Sequence, residues 1–330
     1  MIRLIVIRLL GGVATLFAAS ILIFVTVELL PGDAATAFLG RERSPEAVAA
    51  VRKQFGLDRP LSVRYADWIS GAVQGDLGRS VANNVPVTQL IGARFGRSAI
   101  LVSITLALLV PLSLAVGTIA ALRQGSKLDA SIQLATLATA VLPEFVVGIV
   151  FILLFAFLWH LLPAVSLEVS ATSLILPTAS LLVVSFAYTA RMVRAGVIGV
   201  LQSEYVDMAR LKGMPERLVI RRHVLPNSLV PSVQAFALTA AWMPGGIVII
   251  ESLFGYPGIG QGLVQAILTT DVYNVLAIAM LMGALFVVMS VIETRIALRP
   301  NRAPISCVTG TLFAIDLPRS PWATPEIQSA

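Results

Sequence analysis

Cysteine and histidine are nearly missing from this chain of 330 residues, which has one Cys and two His. Cys307 has no second cysteine to pair with, so an internal disulfide is excluded. Two histidines and one cysteine also make no metal-ligand cluster. Charge is scarce: 13% of residues are charged and 57% are hydrophobic, a balance that excludes an ordinary soluble domain. No G-x-x-x-x-G-K-S/T phosphate loop occurs. Gly258-x-Gly260-x-Gly262 is glycine-dense but lacks the lysine and follows no strand, so it reads as a turn. There is no G-x-S-x-G elbow, and His160 and His223 fall in loops expected on opposite faces, where they cannot share a catalytic centre. The chain is therefore read as no enzyme, with no cofactor or metal of its own.

What is present is a set of long apolar runs. Six spans are expected, at about 9–30, 98–122, 130–158, 173–190, 229–250 and 273–293. Each approaches the roughly twenty residues that cross a ~30 Å hydrocarbon core. None alternates like a barrel strand, so the fold class is an all-α integral membrane protein. Arg3 and Arg8 precede an apolar run that stays free of charge until Glu28. That run exceeds the roughly 7–15 residues of a signal core and reads as an uncleaved anchor. The 123–129 connection holds Arg123 and Lys127, and 191–228 holds Arg191, Arg194, Arg210, Lys212, Arg217, Arg221 and Arg222. Connections 159–172 and 251–272 have neither Lys nor Arg. Positive charge stays on the cytoplasmic side, so the basic loops and both termini are expected there. The same rule accounts for the net charge of +6 without any nucleic-acid partner.

The chain divides into an anchor (1–30), an extracytoplasmic helical cap (31–97), a core (98–293, including the basic loop 191–228) and a proline-rich tail (294–330). In the cap, Ser44-Pro45-Glu46 starts a helix that lines up Val48, Val51 and Phe55 and stops at Gly56. Leu61, Tyr65, Trp68, Ile69 and Ala72 then form a second amphipathic face, for packing onto the spans. Within the third span, Glu144 follows Pro143, which frees a backbone carbonyl and is expected to kink the helix there. A central charge costs about 2.5–3.5 kcal/mol, and a dozen apolar neighbours returning about 0.3–0.6 each still insert the span. Glu144 should then face protein or water, either in a permeation path or in a structural hydrogen bond.

The most informative polar stretch is EYVDMARLKGMPERLVIRRHVLPN, at 204–227. Glu204 and Tyr205 open a helix, Ala209 keeps one face small, and Lys212 precedes Gly213, a candidate left-handed stop. Pro215 starts a second helix, and Leu225-Pro226 is expected to close the unit. This pattern resembles the EAA loop of ABC-importer permeases, with His223 standing where isoleucine is usual. Further stretches resemble the dipeptide/oligopeptide/nickel branch of that family. They are Leu30-Pro31-Gly32-Asp33, FGLDRPLSVRYADWISGAVQGDLGRS at 55–80, Leu142-Pro143-Glu144-Phe145, Ala190-Arg191-Met192-Val193-Arg194, and LFGYPGIGQGLVQAI at 253–267. The resemblance covers roughly residues 1–290; Gly96 stands where proline is common, and the tail departs, as a lineage-specific end or a frameshift near residue 292.

The resemblance implies a type I-like permease of an inner-membrane ABC importer, forming half of a path for peptides, nickel chelates or related solutes. It implies a second, homologous permease, usually a different chain, two cytoplasmic ATPases that bind ATP and Mg, and an extracytoplasmic solute-binding protein. The 204–227 loop would dock on an ATPase. The alternative, a secondary transporter driven by an ion gradient, asks for paired ionisable residues in mid-membrane, and only Glu144 qualifies.

Overall fold

The computed structural model describes residues 2–29, 34–39 and 44–297. Leu30-Pro31-Gly32-Asp33 and the tail from 298 lie outside the described residues, as does Cys307. Thirteen helices follow one another among the described residues: α1 (Ile2–Leu29), α2 (Ala34–Leu39), α3 (Pro45–Phe55), α4 (Leu61–Val73), α5 (Val87–Leu122), α6 (Lys127–Val141), α7 (Glu144–Phe151), α8 (Ile175–Leu201), α9 (Glu204–Leu211), α10 (Glu216–Val219), α11 (Leu225–Phe254), α12 (Ile259–Leu268) and α13 (Val272–Ala297). The fold is all-α; the only pairing outside helices among the described residues is an isolated bridge between Arg79 and Pro86.

Five helices are long and apolar enough to cross a membrane, or six if the bent pair of α6 and α7 is one span. The crossing expected over 130–158, with a kink at Pro143, is bent by 102° between Val141 and Glu144. Leu142 turns to extended backbone (ψ 127°) because the following proline excludes the helical conformation before it. After α7 a π-helical stretch, Ile152–Leu158, completes the crossing. The second crossing begins earlier than expected: α5 runs back to Val87, inside the segment assigned to the cap. Likewise α8 continues to Leu201, past the expected end at 190.

The main core joins α5, α8 and α11 through Leu101, Leu109, Leu176, Leu181, Ile247, Ile250 and Phe254, with Tyr256 beneath. A second cluster seats the cap on α1 and α13, with Trp68 against Phe24, Val275 and Leu276. Cap local structure follows its sequence closely. The Ser44 hydroxyl accepts the Ala47 N–H at 3.1 Å, and Gly56 ends α3 at φ 63°. Trp68 is 5% exposed and donates its indole N–H to the Leu77 carbonyl at 3.2 Å, while the hydroxyls of Tyr65 and Ser20 share a 2.7 Å bond. Leu61 is the exception on that face, at 43% exposed.

Candidate functional site

The 204–227 element forms a helix–turn–helix at one end of the bundle. Ser203 precedes α9 in extended conformation, and Gly213 takes φ +76°, the left-handed turn its position requires. Pro215 stands in front of α10. Val206, Ala209, Val219 and Val224 are buried together against Ala121, Val193 and Val197 at the ends of α5 and α8. Tyr205 is half-buried at the rim of that cluster. Ala209 is small for this reason: its methyl lies against packed neighbours at 5% exposed. The opposite side carries Met208 (54% exposed) and Leu211 (81% exposed), flanked by exposed Lys212, Arg217, Arg221 and Arg222.

One sequence expectation needs correction here. Leu225-Pro226 does not close the unit. Helix continues from Glu216 to Phe254, and a π-helical turn over Ile220–Val224 leads directly into Leu225-Pro226. Glu204 pairs with no arginine and makes no hydrogen bond among the described residues. Arg210 is held instead by Glu216 (2.9 Å) and Asp207 (3.2 Å), and its pKa is raised by the Glu216 bond.

At the broken crossing, Pro143 is extended (ψ 145°) and Glu144 opens α7. Glu144 is half-buried and its carboxylate lies against α11: a Cβ added to Gly246 would run into it. Pro244, two residues before Gly246, interrupts the α11 ladder.

Several buried polar groups had no signal in composition or spacing. Asp129 accepts the Arg194 Nε–H and Nη2–H, both at 2.7 Å, in a bidentate pair joining α6 to α8. At the opposite end of the bundle, fully buried Glu251 accepts the Ser98 hydroxyl (2.5 Å) and the Gly260 N–H (2.7 Å), tying α5, α11 and the start of α12 together. Asp271 accepts the Ser80 hydroxyl and the Val81 N–H, linking the cap to α13, and burial pushes its carboxyl up from the usual range. Tyr256, donating to the Arg97 carbonyl at 2.8 Å, is pushed up to about 12 by burial and by Glu251. Each carboxylate meets residues far away in sequence, so only a clue such as Glu251 before Gly-Tyr-Pro-Gly was visible.

Two comparisons decide what kind of membrane protein this bundle is. The family described as binding-protein-dependent transport system inner membrane component matches residues 113–300. Its N-terminal membrane-component counterpart matches residues 1–115. The chain belongs to this family. As a permease it is 33% identical to the glutathione transport system permease protein GsiC of Escherichia coli O6:H1, over 88% of this chain and 95% of that one. A probable peptide ABC transporter permease protein of Sinorhizobium fredii is 32% identical, over 86% of this chain and 93% of that one. The permease is thus a multi-pass inner-membrane component of an ABC importer, and not an enzyme.

Proposed function

We propose that this permease forms half of the translocation path of an ATP-driven importer for peptides or peptide-like solutes, and couples to ATPase subunits through residues 204–227. The observation that carries the coupling reading is the two-sided packing of that element. One face is anchored into the ends of α5 and α8 by Val206, Ala209, Val219 and Val224, while Met208 and Leu211 are left outward. A helix held this way transmits displacement to the spans, and its outer face suits a helix-in-groove contact. The peptide-like cargo is supported by the names of the glutathione and peptide permeases above. ATP and Mg would be bound by the ATPases, and the solute would arrive on an extracytoplasmic binding protein. A second, different permease would supply the other half of the path, and both termini would be cytoplasmic.

Gly213→Val tests the coupling. A β-branched side chain at φ +76° adds about 1–2 kcal/mol of strain, while no neighbour crowds the position. Membrane insertion should be unchanged. Retention of the ATPase in pull-downs should fall about tenfold, and uptake should fall with it. Normal pull-down with wild-type uptake would show that the element does not couple.

A further inference from the structure

At the bend between α6 and α7 the chain exposes a concentration of hydrogen-bond acceptors. The carbonyl of Thr139 receives the Leu142 N–H at 3.1 Å. Among the described residues no hydrogen bond reaches the carbonyls of Ala140, Val141 and Leu142, and none reaches the Glu144 carboxylate. Val141 is 76% exposed and Leu142 45% exposed, so this bend opens outward from the chain. Fifteen residues of α6 place it about 22 Å from the Lys127 end, well inside a hydrocarbon core. Lipid leaves such groups unsatisfied, so open backbone at this depth must line water, cargo or another protein surface.

The electrostatics select the sign of the occupant. The C-terminal end of α6 and the N-terminal end of α7 meet here, so their opposite partial charges roughly offset. The ionisable group that remains is the Glu144 carboxyl, held against Gly246. No group of three His, Cys, Asp or Glu surrounds it among the described residues, whereas a divalent cation such as calcium takes six to eight oxygens. A single carboxylate two to four residues along the chain from free carbonyls instead suits a singly charged group with three N–H donors, which is a primary ammonium.

We propose that the bend at Leu142–Glu144 is a cargo site for the protonated amino group of a transported peptide, with Glu144 as counter-ion and the free carbonyls as additional acceptors. This rests on the peptide-permease reading above. In it, the break in the span has a purpose: continuous helix would consume these carbonyls.

The test is equilibrium binding to the purified complex of both permeases and the ATPases, without binding protein, using radiolabelled trialanine and glutathione, each free and N-acetylated. Wild type should bind the free forms at least tenfold more tightly than the acetylated ones. Glu144→Gln should weaken the free forms to the acetylated level, and Glu144→Asp should retain part of the preference. Equal binding of free and acetylated probes to wild type, or an unchanged preference in Glu144→Gln, overturns the proposal. So does loss of the second permease from the complex in Glu144→Gln but not in Glu144→Asp, which assigns the charge to subunit pairing. A wild-type complex that hydrolyses ATP with its binding protein but binds neither probe also overturns the cargo site, and leaves the permease reading standing. A wild-type chain that recruits no ATPase sinks that reading itself.

Discussion

Arg194 holds two crossings together beside the 204–227 element. Its guanidinium meets Asp129 through two 2.7 Å bonds, and Asp129, 4% exposed, also accepts the Gly125 N–H at 3.0 Å. Removing one partner of such a pair leaves the other charge buried and uncompensated, at about 3–5 kcal/mol. Arg194→Met should therefore lower the thermal unfolding midpoint of the detergent-purified complex markedly. Adding Asp129→Asn should restore part of the loss, because the stranded charge is gone. A double variant no better than the single one would mean that the pair contributes packing rather than compensation. Val193 and Val197, on the same helix, carry the buried face of the 204–227 element, so the Arg194 variant should also lose ATPase retention.

Among elements, the α5–α8 crossing is a close seam. A Cβ at Gly117 would stand 2.7 Å from the Ala190 carbonyl and 2.8 Å from the Val193 Cβ, so the helix axes approach only because the side chain is a hydrogen. Gly117→Val should push α8 away and cost about 1–3 kcal/mol of overpacking, or more where backbone cannot move. A lowered midpoint together with weakened ATPase retention is expected, since Val193 also supports α9. An unchanged midpoint would mean that the seam is looser than its geometry. The bent α6–α7 crossing shows the opposite strategy: two short helices separated by extended Leu142 and Pro143, with α7 anchored by buried Val147 and Gly148.

For the whole molecule, the charge asymmetry of the loops sets the expected orientation, with α3 and α4 outside and the 204–227 element in the cytoplasm. Single cysteines in a Cys307→Ser background test it with an impermeant thiol reagent on intact spheroplasts. Ser62→Cys and Glu168→Cys, both at exposed positions, should label. Leu211→Cys, at 81% exposed, should label only after the membrane is opened. Ser166, in the same connection as Glu168, is fully buried and reports nothing. Labelling of Leu211→Cys in intact cells would invert the topology and remove the element from reach of an ATPase.

By itself the sequence determined the fold class, the five long apolar helices and the helix–turn–helix at 204–227. These rest on local causes: apolar run length against bilayer thickness, a glycine that accepts φ +76°, and prolines that start helices. The hydroxyl cap at Ser44 and the packing of Trp68 were legible for the same reason. Tertiary structure decided which buried charges meet. Asp129 finds Arg194 across 65 positions, Glu251 finds Ser98 across 153, and Asp271 finds Ser80 across 191. It also decided that Leu225-Pro226 continues a helix, through a π-helical turn, and that Pro143 breaks one by 102°. A proline inside a helix removes one hydrogen bond, and whether the helix ends, bends or runs on depends on what its neighbours pack against. For Pro226 that is the cluster of Val219 and Val224 on α5 and α8; for Pro143 it is the anchoring of α7 on α8 and α11.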